Sequence, residues 1–330
     1  MTTTAHQRSA RRPAKIVLAG GSGQVGTLLA RHYHAQGHDV VVLSRRPTPQ
    51  AWRTTHWDAQ TLGDWTQQLE GADAVFGLAG RSVNCRYTPE NKRLIMDSRV
   101  NSTRILSQAI AQAKNAPQVW IQASTATIYG HSYSRPNNED GILGGEEPDA
   151  PHAWRFSIDV AKAWEQAANE TETPLTRKVI TRTVLTLSPD RGGIFDTLLG
   201  LVRRGLGGRV ASGRQMVSWL HDADYIAAVD WLIANEHMSG IINLAAPNPL
   251  PMDDFMRALR RAWGIPIGLP STRWMLEIAS FFMQTETELI LKSRYVLPGR
   301  LLAEGFEFQY PHWPAAAEDL CRRWKVNAVA

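Results

Sequence analysis

Short apolar runs alternate with longer amphipathic segments through the first half of this 330-residue chain. The runs are rich in Val, Ile and Leu, as in strands that are buried on both faces. They lie at residues 15–19, 40–43, 74–79, 119–123 and 178–185. Between them, segments such as residues 24–36 place apolar side chains on one face of a helix, here ending at Gly37. This alternation predicts an α/β fold of the Rossmann type, with a doubly wound parallel sheet.

The second half of the chain breaks this rhythm. Glycine-rich segments and then a proline-rich stretch follow after about residue 186. One further sheet strand is expected near residues 241–244, so the two parts of the fold are interleaved along the chain. The predicted parts are a sheet domain over residues 15–185 with a returning segment near 220–245, a smaller lobe over residues 186–219 and 246–330, and a basic flexible arm over residues 1–14.

The composition is that of an ordinary globular protein, with 43% hydrophobic and 20% charged residues. Most of the net charge of +5 comes from four residues near the N-terminus, namely Arg8, Arg11, Arg12 and Lys15. We therefore do not expect nucleic acid as the main partner. No long apolar run or secretory leader occurs, so no membrane span is predicted. Two cysteines do not make a disulfide framework, and we expect a cytoplasmic setting.

A glycine-rich loop closes the first predicted strand and opens the first predicted helix. Its residues are Gly20, Gly21, Ser22, Gly23, Gln24, Val25 and Gly26. In this setting the first glycine permits a tight turn, the middle one a close approach of a pyrophosphate, and the last one close packing of helix on strand. The start of the helix adds free N–H groups and a positive dipole end. The loop predicts dinucleotide binding; the alternative is a glycine-rich turn without a ligand.

The end of the second predicted strand indicates which dinucleotide is preferred. Sites that prefer NAD(H) place an acidic residue there to hold the ribose 2′-hydroxyl, but this chain has Ser44, Arg45 and Arg46. A guanidinium pairs well with a 2′-phosphate, so NADP(H) is the predicted cofactor. The alternative is that both arginines are solvated surface charges. Asp58 either meets the adenine or caps the helix that follows it.

Four motifs, GGSGQVG, LSRRP, LAGRSV and ASTATIYG, occur in this order, and the chain thereby resembles the extended short-chain dehydrogenase/reductase superfamily. Three later segments, GLGGRVASGRQMVSWLHDADY, GIINLAAPNPLPMDDF and VLPGRLLAEGFEFQYP, resemble an atypical branch of it. This branch is the epimerase family with a DUF1731 C-terminal domain, whose members are described as nucleoside-diphosphate sugar epimerases. The resemblance runs from about residue 15 to residue 324.

The resemblance implies a parallel sheet around the glycine loop and a smaller C-terminal lobe that binds substrate over the nicotinamide end. It also implies that certain residues at two strand ends line the cofactor, namely Leu78, Ala79, Gly80, Ala123, Ser124 and Thr125. The hydroxyl of Thr125 fits the group that polarises a substrate in this superfamily. The alternative is a strand-end threonine that hydrogen-bonds to the backbone.

The usual acid–base pair of the superfamily is absent from this sequence. Redox members use a Tyr with a Lys four residues further along, and none of the seven tyrosines here has a Lys at that spacing. By alignment, the two positions are Ser157 and Ala161, and Lys162 is rotated by about 100° around the helix. Another group must therefore supply the proton, or no reaction takes place.

Several arginines distinguish this chain from its superfamily. Arg99 replaces a frequent Asn and either binds an anion or polarises a carbonyl, or else forms a salt bridge at the lobe interface. Arg81 and Arg86 either extend a cationic pocket mouth or are solvated loop charges. Trp219 either stacks on substrate or belongs to the core. Val217 occupies the position of a diphosphate-binding Arg, which argues against a nucleotide-sugar substrate.

The sequence thus predicts an NADP(H)-binding atypical short-chain dehydrogenase/reductase. It would be an oxidoreductase or epimerase that acts on a small carbonyl or anionic substrate, with Thr125 and Arg99 as the catalytic groups. The alternative is a non-catalytic NADP(H)-binding or redox-sensing protein. No metal site is predicted, because no carboxylate spacing accompanies the histidines near residue 34.

Overall fold

The computed structural model of the protein describes residues 13–147, 151, 154–270 and 288–327. The predicted N-terminal arm lies almost entirely outside this part of the chain. Eleven strands are described: β1 Lys15–Ala19, β2 Asp39–Ser44, β3 Arg53–His56, β4 Ala74–Gly77, β5 Val119–Thr125, β6 Arg177–Thr183, β7 Leu185–Leu187, β8 Met216–Val217, β9 Trp219–His221, β10 Gly240–Leu244 and β11 Leu250–Pro251.

Nine α-helices are described in the same residues. They are α1 Gln24–Ala35, α2 Pro89–Gln112, α3 Arg155–Asn169, α4 Ile194–Arg203, α5 Asp222–Ala234, α6 Met252–Trp263, α7 Glu288–Leu291, α8 Gly299–Ala303 and α9 Trp313–Asn327. Helix α2 begins at Pro89, because proline suits the first helical position and the Thr88 hydroxyl accepts a hydrogen bond from the amide of Asn91. None of these helices is both long and apolar enough to span a membrane.

Seven strands form one parallel sheet in the order β10-β6-β5-β4-β1-β2-β3. This order confirms the predicted doubly wound fold. The chain reverses its direction of progress between β1 and β4, so the crevice for a ligand opens at the carboxyl ends of these two strands. The strand expected near residues 241–244 lies at the sheet edge as β10.

Both faces of the sheet are covered, which explains the continuous apolar runs. On one face α1 and α5 pack over alternate strand residues such as Leu18 and Val42. On the other face α2 covers the intervening residues, such as Val17 and Val41, with part of α3 beside it. The carboxyl-end loops of the sheet are thereby held in fixed positions.

The smaller lobe has its own core, built from α4, α6 and α9. Phe255 and Trp313 stack with ring centroids 4.1 Å apart, and Trp219 lies 5.1 Å from Trp313. Trp219 is fully buried, with 0% exposure, and its indole N–H donates to the carbonyl of Asn248. The proposal of a substrate-stacking role for Trp219 is therefore corrected: the aromatic packing of this lobe leaves no face of the ring for a ligand.

Candidate functional site

The glycine loop is forced into its shape by close backbone packing. Gly20 has φ +80°, which favours glycine, and its amide donates to the carbonyl of Leu43 at 2.9 Å. A Cβ at Gly20 would lie 2.6 Å from the amide nitrogen of Ala79. A Cβ at Gly26 would overlap the backbone of Gly21. The loop is thus held tightly between the ends of β2, β4 and the first turn of α1.

The N-terminus of α1 is open toward the crevice. Gly23 is the N-cap, no side chain caps the helix, and no acidic residue lies in the first turn. A Cβ built on Gly23 would meet no atom of the described residues within 4 Å. Free amides beside open space fit a dinucleotide pyrophosphate, for which the positive end of the helix dipole is favourable. The exposed Ser22 precedes this N-cap, and Val25 follows it in the first turn.

Gln24 connects the glycine loop with the second lobe. Its side-chain nitrogen is buried and has no hydrogen-bond partner among the described residues. Gly193, the N-cap of α4, packs directly against this side chain. A Cβ built on Gly193 would lie 2.6 Å from the side-chain nitrogen of Gln24. The start of α4, which also lacks a side-chain cap, is therefore adjacent to the predicted phosphate loop.

The end of β2 presents two arginines to solvent. The buried Ser44 hydroxyl accepts a hydrogen bond of 3.2 Å from the amide of Arg46, which shapes the turn. The side chains of Arg45 and Arg46 are exposed and form no ion pair with the described residues. No acidic residue occupies this strand end, so the arrangement is open to a phosphate but offers no carboxylate for a ribose hydroxyl.

Asp58 caps its own turn. Its carboxylate accepts hydrogen bonds from the Thr61 hydroxyl and from the amides of Thr61 and Gln60, at 2.5 to 2.9 Å. These bonds, led by that of the Thr61 hydroxyl, lower the pKa of Asp58 to about 2. The carboxylate is therefore charged and committed to the turn over residues 58–61, and it caps no α-helix. Contact with an adenine remains a prediction.

The strand ends of β4 and β5 form the floor of the crevice. The amide of Leu78 donates to Ala19 at 2.8 Å, so the 78–80 segment continues beside the glycine loop, with Leu78 and Ala79 half-buried and Gly80 exposed. Ala123 and Thr125 are half-buried at the end of β5. The Thr125 oxygen accepts a hydrogen bond from the amide of Thr127 at 3.2 Å. Thr125 is therefore a strand-end threonine that hydrogen-bonds to the backbone. Because its oxygen accepts this bond, its hydroxyl hydrogen is still available to a ligand.

Ser124 faces a buried ion pair that the sequence analysis missed. Its hydroxyl donates to Glu165 at 2.6 Å, and Glu165 pairs with Arg182 at 2.7 Å. Arg182 also donates to the Tyr129 hydroxyl at 3.0 Å, which in turn donates to Asn243 at 2.8 Å. Burial lowers the pKa of Arg182, but the hydrogen bonds and charge of Glu165 outweigh it, so the net direction is upward. The available sequence signal is an arginine within the strand that is predicted at residues 178–185.

Arg99 is a half-buried cation that is held by neutral groups. One guanidinium nitrogen, Nη1, donates to the carbonyls of Arg81 and Ile95, both at 3.1 Å. The guanidinium carbon of Arg99 lies 5.1 Å from the ring centroid of Trp164. A Cβ built on Gly80 would lie 3.2 Å from the same guanidinium carbon. Loss of hydration lowers the pKa of Arg99 to about 10, so it is charged at neutral pH. No carboxylate of the described residues pairs with it, so the salt-bridge alternative is not what the structure shows.

The neighbouring loop arginines are placed above Arg99. Arg81 is exposed, and its guanidinium donates to the side chain of Asn91 at 3.1 Å. The side-chain nitrogen Nδ2 of Asn91 donates in turn to the backbone carbonyl of Arg86. Arg86 is half-buried. Both arginines therefore lie in one loop beside the crevice, joined by Asn91, and their contact with substrate remains a prediction.

The two positions of the usual Tyr–Lys pair are occupied as expected from the alignment. The Ser157 hydroxyl donates to Glu288 at 2.6 Å, and Ala161 is fully buried. Lys162 donates to the carbonyl of Gly144 at 2.9 Å, so its ammonium group is engaged by a loop. Helix α3 thus offers no phenol at these positions.

A C-terminal segment approaches the end of β5, which the sequence analysis did not foresee. Lys292 donates to the Thr127 carbonyl at 2.9 Å, and Arg294 donates to the Thr127 hydroxyl at 3.4 Å. Burial, followed by the charge of Arg294, lowers the pKa of Lys292 to about 8. Among the described residues, no group of three or more His, Cys, Asp or Glu side chains is placed to hold a metal ion.

Comparison with known proteins places this site in context. The NAD dependent epimerase/dehydratase family matches residues 16–245, and a domain of unknown function, DUF1731, matches residues 272–320. The chain is 31% identical over 302 residues to the epimerase family protein YfhF of Bacillus subtilis, covering 89% of this chain and 94% of that protein. It is 30% identical over 310 residues to the epimerase family protein SDR39U1 of Bos taurus, covering 93% of this chain and 99% of that protein.

A solved structure shows the same architecture with a cofactor. The crystal structure of human epimerase family protein SDR39U1 (isoform 2) with NADPH superimposes on this chain with a TM-score of 0.81 at 26% sequence identity. The superposition covers 93% of this chain and 99% of that chain. The sheet, its crevice and the second lobe are thus shared with a protein that was crystallised with a nicotinamide dinucleotide.

Proposed function

Because this chain belongs to the NAD dependent epimerase/dehydratase family, which confirms the resemblance carried by its motifs, we propose that it is an NADP(H)-dependent oxidoreductase or epimerase. Its substrate would be a small carbonyl or anionic compound. The observation that carries the proposal is the phosphate cradle: the uncapped N-terminus of α1 faces open space at Gly23. Bound there, the nicotinamide cofactor would supply a hydride donor or acceptor.

The preference for NADP(H) rests on the end of β2. Arg45 and Arg46 are exposed beside the crevice, with no acidic residue at this strand end to hold a ribose 2′-hydroxyl. A guanidinium can form two parallel hydrogen bonds with a 2′-phosphate, and such charge-assisted bonds are among the stronger ones in proteins. A reducing, cytoplasmic setting is part of the same proposal, because Cys85 and Cys321 are free thiols.

Thr125 and Arg99 are the groups proposed to act on the substrate. The Thr125 hydroxyl can donate to a substrate carbonyl oxygen while its own oxygen stays bonded to the Thr127 amide. Arg99 carries a positive charge in a partly dehydrated position, where it can stabilise negative charge that develops on that oxygen. Arg99 is not the proton donor in this scheme, because a guanidinium releases its proton too reluctantly at neutral pH. A water molecule would supply the proton.

A second candidate is a non-catalytic NADP(H)-binding or redox-sensing protein. It is favoured by helix α3, where Ser157 and Ala161 occupy the positions of the usual Tyr and Lys. A sensor must bind NADP⁺ and NADPH with different affinity, because only a difference between the two can shift a conformational equilibrium. Equal affinities together with no turnover would remove both candidates.

The cofactor experiment compares NADPH and NADH binding in the natural chain and in Arg45→Ala, by quenching of tryptophan fluorescence. We expect Arg45→Ala to weaken NADPH binding at least about tenfold, which corresponds to the loss of one charge-assisted pair, and to leave NADH binding unchanged. Arg93→Ala is the matched control, because Arg93 is an exposed arginine paired with Asp97 on α2. Equal binding of NADPH and NADH by the natural chain would overturn the assigned preference.

The turnover experiment follows reduced-nicotinamide absorbance after a small-molecule cell extract is added to the NADPH-loaded protein. Consumption that depends on the protein and falls at least about tenfold in Thr125→Val would support an oxidoreductase. Thr127→Val is the control for local packing, because Thr127 is the neighbouring half-buried threonine. NADPH that binds but is never consumed would contradict the simple reductase and leave an epimerase that recycles its cofactor, or a sensor.

A further inference from the structure

A small cavity lies where the start of α3 meets Lys292, the residue that follows α7. Its volume is about 220 Å³, below the range of about 300–1,000 Å³ that is usual for sites of drug-sized ligands. Glu146 and Arg155 line the cavity and are exposed, whereas Lys292, Trp154 and Ile158 line it and are buried. The cavity therefore leads from solvent, at the two exposed side chains, to a floor of buried ones, and it admits only a compact molecule.

Lys292 places an ammonium group at this floor. Only 2% of the residue is exposed, and its Nζ donates a hydrogen bond to the carbonyl of Thr127 at 2.9 Å. Within the part of the chain that the structure describes, Nζ has no second acceptor and forms no ion pair with a carboxylate. An ammonium group has three N–H donors, so two of them lack an acceptor from these residues. Burial of a cation with so few partners favours the neutral amine.

The neighbouring charges act on Lys292 in both directions. Loss of hydration is the main effect that lowers its pKa to about 8, and the charge of Arg294 acts in the same direction. The carboxylates of Glu288 and Glu147 oppose this shift without restoring the ordinary value of 10.5. Burial and a neighbouring cation are two means by which proteins activate a lysine as a nucleophile. A substantial fraction of Lys292 therefore has a free electron pair near neutral pH.

Glu147 gives the same cavity a fixed negative charge. Its carboxylate accepts hydrogen bonds from the amides of His131 and Gly145, at 2.8 and 2.6 Å, so its position is set by backbone. The charge of Glu147 favours a cation at the nitrogen of Lys292. A protonated imine is such a cation, and it needs fewer hydrogen-bond acceptors than an ammonium group does, because it has one N–H.

We propose that Lys292 forms an imine with a small aldehyde or ketone that enters this cavity. After losing one proton, Nζ attacks the carbonyl carbon, and a carbon–nitrogen double bond replaces the carbon–oxygen double bond. The carbonyl oxygen leaves as water with the two remaining hydrogens of the amine, and the released proton returns to the imine nitrogen. No oxidant, reductant or cofactor takes part, so this site goes beyond the redox chemistry proposed above.

The experiment traps the imine with cyanoborohydride, which reduces it to a stable secondary amine, and locates the product by peptide mass spectrometry. The full chain is incubated at neutral pH with propanal and, separately, with pyrene carboxaldehyde, which is too bulky for the cavity. We expect propanal to label Lys292 at least about tenfold faster than Lys178, because each unit of pKa changes the neutral fraction of an amine about tenfold. Pyrene carboxaldehyde should label the exposed Lys114 but not Lys292.

Lys178 is the matched control within the same chain. Its Nζ also donates to a backbone carbonyl, that of Ala168 at 2.6 Å, and burial also lowers its pKa. A second acceptor, the side chain of Asn169, lies at 3.2 Å, and Lys178 is not among the residues that line the cavity. Equal labelling of Lys292 and Lys178 by propanal would overturn the inference, as would labelling of Lys292 by the bulky aldehyde.

Two variants separate the amine from the cavity. Lys292→Arg keeps the positive charge but forms no imine, so label on this peptide should disappear. Ile158→Phe fills part of the cavity floor and should slow labelling of Lys292 by propanal at least about tenfold. Circular dichroism checks that this variant is folded, and unchanged labelling in a folded Ile158→Phe would contradict the proposal. The comparison of the two aldehydes needs no variant, so it tests the site even if Ile158→Phe does not fold.

The two proposals fail in different ways. Trapping needs neither NADPH nor turnover, so absence of label on Lys292 contradicts only the imine site. A chain that is labelled at Lys292 but does not bind NADPH contradicts the proposed function and leaves the imine site standing.

Discussion

At the scale of single residues, the glycines of the loop have separate reasons for being glycine. A side chain at Gly26 would overlap the backbone of Gly21, so this position is fixed by the packing of the first turn of α1 on the glycine loop. A Cβ at Gly23 would meet no atom within 4 Å in the part of the chain that the structure describes, and the φ of −84° is open to any residue. No contact among the described residues therefore requires glycine at position 23, and we attribute the glycine to the phosphates that this open space is proposed to hold.

These two positions give a paired prediction. Gly23→Ala should change the free energy of unfolding by less than about 1 kcal/mol, the usual effect at a helix N-cap, yet weaken NADPH binding at least about tenfold. Gly26→Ala should lower the free energy of unfolding by about 2–3 kcal/mol, because the added methyl group is forced against backbone. Urea unfolding and fluorescence titration measure the two effects. Unchanged NADPH binding in Gly23→Ala would place the phosphates elsewhere.

At the scale of elements, a buried ion pair joins α3 to β6. The side chains of Glu165 and Arg182 are 11% and 4% exposed, and the Ser124 hydroxyl completes the group at the end of β5. A charge at this depth is tolerated only while its partner is present. The pair therefore fixes the distance between α3 and the strand ends that line the crevice.

We expect Glu165→Gln to lower the free energy of unfolding by about 3–5 kcal/mol, because the Arg182 charge would be left buried without a counter-charge. Glu170→Gln at the C-cap of the same helix should cost less than about 1 kcal/mol, because its partner Arg104 is about half exposed. Urea unfolding at neutral pH measures both variants. Equal costs for the two would show that burial of the Glu165–Arg182 pair is energetically unimportant.

At the scale of the whole molecule, α9 anchors the second lobe to the sheet through buried charges. The Nε2 atom of His221 lies 3.2 Å from Asp319, and Arg323 pairs with Asp222 at 2.7 Å. The His221 Nδ1 atom accepts a hydrogen bond from the amide of Ala223, so the ring is neutral with its proton on Nε2. Burial is the main cause that lowers the pKa of His221, and the nearby carboxylates oppose it only in part.

This histidine predicts a pH dependence of stability. Because its pKa is lowered by folding, the unfolded chain binds the proton more readily, so stability is full above about pH 6.5 and falls as the pH decreases below that value. One such group changes the free energy of unfolding by at most about 1.4 kcal/mol per pH unit. His221→Asn keeps an N-cap acceptor for α5 but does not titrate, so it should flatten this slope.

The measurement is urea unfolding of the natural chain and of His221→Asn at intervals between pH 5 and pH 7. Burial raises the pKa of Asp224 from 3.8, so this residue changes the free energy of unfolding with pH in the opposite direction. The stability that its protonated form contributes is lost as the pH rises above 3.8. Its titration begins below the range in which His221 acts. An identical slope in both proteins would show that His221 does not contribute to the acid sensitivity.

The sequence alone determined the sheet, its phosphate loop and the loss of the Tyr–Lys pair. These features depend on local order: apolar runs define strands, glycines at fixed spacing define the turn, and one helix carries positions 157 and 161. The family matches confirm the resemblance that the motifs carried. Trp219 shows the limit of such reasoning, because an aromatic residue is equally compatible with a pocket and with a core until its neighbours are known.

Only the tertiary structure decided which charges meet. Arg182 and Glu165 are 17 residues apart, and Ser124 lies 41 residues before Glu165, so no local spacing connects these three residues. Hydrophobic packing of α3 on the sheet brings these groups together, and the low local dielectric then gives their charges an influence that they would lack in water. The chemistry proposed for the substrate is therefore a property of the folded chain, whereas the cofactor loop is already determined by its sequence.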